Sequence, residues 1–121
     1  MALWRNALEK ISAKLVSYQV LNTDFGTTLT TRGATVAVTF TLPAIADIAA
    51  GWWCSFYNVS AYGMIVASSG SADNIVGLND AGLDTLTATT TSLMIGVSIK
   101  VVWDGTGWLS YRGAGGTITG A

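Results

Sequence analysis

Seven carboxylates, Glu9, Asp24, Asp47, Asp73, Asp80, Asp84 and Asp104, are the side chains here that could move a proton or hold a cation. The sequence has no histidine, which removes the commonest general base and metal ligand. Most of the aspartates stand beside Gly or Asn or at predicted strand ends, where the carboxylate caps a turn. Asp73, Asp80 and Asp84 are near enough for a calcium loop, but the ligand ladder and closing Glu of a helix-loop-helix site are missing. No two aspartates stand out as partners for glycoside cleavage. Ser and Thr are abundant, yet no His or lysine motif marks one as a nucleophile. The expectation is turn chemistry, no catalytic residue, no metal and no cofactor: a non-enzymatic chain.

Cys54 is the single cysteine, so there is no intramolecular disulfide and no multi-cysteine metal site. It lies between Trp53 and Phe56 in a predicted strand and reads as a buried, inert thiol, as suits a reducing cytoplasm. Gly113-Ala114-Gly115-Gly116 is not a phosphate loop, because no Lys-Ser/Thr follows it. The aromatic residues Trp52, Trp53, Trp103, Trp108 and Tyr111 allow two readings. They could stack on sugar rings, or they could fill the core and the contacts between subunits. The second is the simpler account of five tryptophans in 121 residues.

Half of the residues are apolar and only 11% are charged, with a net charge of −1. So few charges make a poor colloid, which predicts a surface covered in part by other copies or by a partner. The basic residues form no run or face, which argues against nucleic-acid binding. No apolar run approaches the ~20 residues of a membrane span, and the amino terminus lacks the apolar core of a signal peptide.

Elements that would position these side chains follow from the hydrophobic period. Trp4, Leu8, Ile11, Leu15 and Tyr18 recur at steps of four, three, four and three residues. That spacing predicts an amphipathic helix over 2–18, an extension ahead of a β domain at 19–121. Such a helix could pack on its own β domain, join subunits as a short coiled coil, or dock on another protein. A membrane-surface role fits less well, given Glu9. From Gln19 onward the period is two. Tyr18–Leu21, Thr27–Thr31, Val36–Leu42, Trp52–Val59, Met64–Ala67, Asn74–Leu78, Asp84–Thr91, Leu93–Trp103 and Trp108–Tyr111 read as strands. Pro43 ends the clearest of them, 44–50 reads as a helical turn or loose crossover, and Asp104-Gly105 as a tight hairpin turn. The expected fold is all-β, a single β-sandwich or jelly-roll-like barrel of about eight to nine short strands.

Two stretches, TDFGTTLTTRGATVAVTFTLP at 23–43 and VWDGTGWLSYRGAGGTIT at 102–119, resemble a pattern in structural proteins of tailed bacteriophages. The carriers are Asp24, Gly26 and Thr27, then Arg32-Gly33-Ala34, then Val38, Phe40, Leu42 and Pro43, and finally Asp104-Gly105-Thr106 with Trp108. Arg32 stands where Asn is frequent in that pattern. The resemblance implies a capsid decoration (cement) protein, a head fibre or a module of a tail fibre, usually trimeric. The brevity of the chain favours a decoration protein on the capsid surface, made in the bacterial cytoplasm. Its partners would be two further copies of itself and the major capsid protein. Contact residues expected on that reading are Trp4, Leu8, Ile11, Leu15 and Tyr18, with Thr27, Leu29 and Thr31 as an edge strand open to a partner sheet. The alternative is a fibre module that adheres to host surface glycan through its aromatic residues. In a bacterial product the Asn58-Val59-Ser60 glycosylation match is a coincidence.

Overall fold

The structure is a computed structural model and describes residues 8–70, 74–113 and 115–121. Its first six strands alternate between two sheets. β1 (Lys10–Ala13), β3 (Thr27–Thr30) and β5 (Trp53–Tyr57) lie side by side and parallel in one sheet; β2 (Tyr18–Gln19), β4 (Val38–Thr41) and β6 (Met64–Ala67) do the same in the other. The chain therefore winds from sheet to sheet and climbs one strand at each return.

The second half completes both sheets. β7 (Ile75–Gly77) and β8 (Asp80–Leu83) form one far edge, and β9 (Thr85–Ala88) crosses to pair antiparallel with β6. β10 (Ser98–Trp103) and β11 (Trp108–Arg112) make an antiparallel hairpin beside β5, and β12 (Thr119–Gly120) closes the smaller sheet against β9. The orders are β1-β3-β5-β10-β11-β7-β8 and β12-β9-β6-β4-β2. All-β is thus the observed class. The parallel windings differ from the antiparallel strands of a jelly roll, because a period of two is the same in parallel and antiparallel strands.

One core lies between the sheets. Leu29, Cys54, Phe56, Ile99 and Val101 point into it from the larger sheet, and Val38, Phe40, Met64, Val66 and Leu86 from the smaller. The Phe40 and Phe56 rings meet across the gap at 5.0 Å. Trp52, Trp103 and Trp108 are also buried and pack together, Trp52 edge-on to Trp108 at 5.8 Å between ring centroids and Trp103 tilted against it at 5.4 Å. Trp52 Nε1 donates to the Asn22 carbonyl at 2.9 Å, whereas Trp108 Nε1 has no hydrogen-bond partner among the described residues.

The amino-terminal helix is corrected. Residues 10–13 are a strand whose Ile11 stands opposite Thr28 and whose ladder is extended by Lys14 N donating to Thr30 O at 2.8 Å. Two physical reasons favour the extended form. Ile11, Ser12, Val16, Ser17 and Tyr18 are indifferent helix formers, and a lone short helix in water is marginal without a partner for its apolar stripe. The larger sheet offers an edge, so the backbone bonds go there instead. Trp4 lies outside the described residues. The described residues hold twelve strands, with β1, β8 and β12 beyond the nine that the sequence predicts. β8 begins where Asn79–Gly82 reads as a turn: Leu78 and Asn79, at φ 49° and 61°, make that turn two residues earlier. The strand expected at Leu93–Trp103 starts only at Ser98.

Candidate functional site

Three of the carboxylates, Asp24, Asp80 and Asp104, are occupied locally. Asp24 accepts from the Tyr18 hydroxyl and the Leu21 N–H, both at 2.8 Å. Asp80 accepts from Gly82 N–H, and Asp104 from Thr106 and Gly107 N–H, each at 2.8 Å. Those N–H groups of Gly107 and Thr106 hold the Asp104 carboxyl below its ordinary range. Among the described residues no three His, Cys, Asp or Glu side chains gather as a metal would require, and Asp73 lies outside them. Burial, with the charge of Asp24 added, pushes the Cys54 thiol well up, so it is held as the poorly nucleophilic thiol. A hollow of about 460 Å³ beside β2, lined by Val20, Leu21, Pro43 and Asp47 among others, brings a single carboxylate.

The expected contact residues divide into two groups. Leu8, Ile11 and Leu15 stand 64%, 68% and 57% exposed along and around β1, joined by Val16, which the helical stripe had left out. β1 is the outermost strand of its sheet, so one side of its backbone meets no other strand among the described residues. Tyr18 is half-buried on β2, with the Lys14 ammonium 4.0 Å from its ring centre. Thr27, Leu29 and Thr31 are buried instead, and β3 is flanked by β1 and β5. The open edge belongs to β1, one strand further out than expected. Leu29 fills the core, and the alternation of the strand decides this: its outward residues are Thr28 and Thr30.

A second surface was only half visible in the sequence. The outer face of the larger sheet carries Thr28 and Thr30 from β3, Trp53, Ser55 and Tyr57 from β5, Ser98, Lys100 and Val102 from β10, and Leu109 and Tyr111 from β11. Register aligns Thr28, Ser55, Lys100 and Tyr111 in one row across four strands. The Lys100 ammonium lies 4.8 Å from the Trp53 ring centre and 5.9 Å from that of Tyr111. Phe25 meets the other side of this group edge-on, 6.1 Å from Trp53. Of the five aromatic residues considered for a sugar platform, Trp52, Trp103 and Trp108 are core; Trp53 is half-buried and Tyr111 exposed. The signal for Lys100 was present in the Asp104–Gly107 hairpin, whose register puts Lys100 opposite Tyr111. What no local pattern gave was the neighbour on the other side, because β5 and β10 are far apart in the chain.

No helix among the described residues is long and apolar enough to cross a membrane. In comparisons with known proteins, no protein-family model matches the chain and no curated protein matches it significantly.

Proposed function

We propose that the chain is a non-enzymatic structural protein of a tailed-phage virion, a homotrimeric decoration protein on the outside of the head. The observation that carries this reading is the apolar rim of β1. Leu8, Ile11, Leu15 and Val16 are all more than half exposed, beside a strand edge with unused backbone groups. A chain with 11% charged residues has little else to keep such a rim in water, so it is covered in the working assembly. The phage-like motifs supply the identity of that assembly.

The mechanism is mechanical. Copies joined through the β1 rim present three equal surfaces to the capsid. Each weak contact then acts at the high effective concentration set by the other two, and capsomer borders are tied against internal pressure. Nothing in this requires proton transfer, which suits a chain whose Asp24, Asp80 and Asp104 are committed to turns.

Purified protein mixed with heads lacking decoration, imaged by electron cryomicroscopy, tests the reading. Ordered density at three-fold positions is the expected result. Heads that stay bare at saturating protein would overturn it.

A further inference from the structure

The outward positions of β3, β5, β10 and β11 carry one cation and, among the described residues, no anion to match it. Lys100 is the only charged side chain that β3, β5, β10 and β11 direct outward, and it forms no ion pair among the described residues. Its ammonium is not left to wave in water either. The Trp53 ring holds it at 4.8 Å, an attraction of ring quadrupole for cation that fixes the position of the charge without neutralising it. Tyr111 stands next in the same row, 55% exposed, and on the other side of Lys100 come the hydroxyls of Ser55 and Thr28.

We infer that this row is a binding site for an acidic saccharide, a glycan bearing a carboxylate such as a uronate or a sialate. The roles follow from chemistry. Lys100 takes the carboxylate, the exposed Tyr111 ring stacks on the C–H face of a sugar ring, and Ser55 and Thr28 exchange hydrogen bonds with ring hydroxyls. Trp53 is a positioning residue that acts through Lys100. A held cation, an exposed aromatic ring and a run of hydroxyls in one row match the carboxylate, C–H face and hydroxyls of an acidic sugar chain. The inference rests on the row itself and not on the capsid reading: the row adjoins Ile11 of the β1 rim at its Thr28 end, while two strands lie between β1 and Lys100 and three between β1 and Tyr111.

The test is a titration of the full-length, isotope-labelled chain with trigalacturonate and sialyllactose, against maltotriose and lactose, followed by nuclear magnetic resonance. The acidic sugars are expected to shift Trp53, Lys100 and Tyr111 resonances saturably, and the neutral ones to bind at least roughly tenfold more weakly, the loss of one charge-assisted hydrogen bond. Lys100→Gln should weaken the acidic sugars by a similar factor with the fold intact by circular dichroism, while Lys100→Arg retains them. Added salt should weaken binding in the wild type and not in Lys100→Gln. Equal response to acidic and neutral sugars, no response to either, or undiminished binding by Lys100→Gln overturns the inference. So do shifts at these residues that follow protein concentration without sugar and vanish in Lys100→Gln, since the face would then belong to a second copy.

Discussion

The Thr31 hydroxyl donates to the side-chain carbonyl of Asn58 at 2.6 Å, with both residues fully buried. The same Thr31 oxygen accepts from the N–H groups of Val59 (2.9 Å) and Ser60 (3.1 Å). The Asn58 amide in turn donates to the carbonyls of Ser60 (3.0 Å) and Met94 (2.9 Å). These two side chains thus tie the ends of β3 and β5 to the loop that precedes β10. Both amide hydrogens of Asn58 are thereby spent inside the fold. Thr31→Val strands two N–H groups and a carbonyl, and we expect it to cost about 2–3 kcal/mol in urea unfolding, with Thr31→Ser close to wild type. Asn58→Ala should cost as much, and the double variant less than the sum, because the partners are shared.

Tyr18 makes the clearest pH prediction. Burial first, then the hydrogen bond to Asp24 and the repulsion of its charge, push the phenol up to about 12 from 10.0. The fold favours the protonated form, so its contribution to stability is complete below pH 10 and is lost as pH rises through 12. In a spectrophotometric titration Tyr18 should ionise near pH 12, and Tyr18→Phe should remove that step. Asp24→Asn should bring it down only in part, since burial is the larger cause. A titration that Tyr18→Phe leaves unchanged near pH 12 would contradict the geometry.

Gly63 shows where the winding leaves no room. Its φ is +102°, and a β-carbon there would come within 2.8 Å of Thr89 Cγ2 and 3.0 Å of the Ala88 carbonyl. Backbone on one side and conformation on the other both forbid a side chain. Gly63→Ala should therefore lower the unfolding free energy by about 1–3 kcal/mol. Gly51→Ala serves as the control: φ is +96°, with nothing within 4 Å, so only the conformational part is lost.

Much of this was legible before any coordinates, and the reasons differ by element. Met64–Ala67 falls where expected, and of the alternating run Val36, Val38, Phe40 and Leu42 the last three are fully buried, because alternation reports a half-buried strand directly. Val36 lies ahead of the strand and is 51% exposed. Residues 10–18 were not legible. Their apolar spacing satisfies a helix, yet the choice lay with a sheet edge built by residues 27–30, which local spacing cannot register. Thr27, Leu29 and Thr31 read as an edge strand open to a partner sheet for the same reason: local spacing does not reveal β1, which occupies that edge. The Lys100 site was half legible, through the hairpin that pairs it with Tyr111 and not through the long-range contact with Trp53.

The β1 rim is where the account is most exposed to a direct result. Ile11 projects outward from the edge strand at 68% exposure, so Ile11→Glu should fold as the wild type does. Light scattering after size exclusion, at micromolar concentration, should give the wild type three times the 12.6 kDa of one chain and Ile11→Glu the single-chain mass. A monomeric wild type, or a trimer that Ile11→Glu leaves whole, would contradict the claim that this rim joins the subunits.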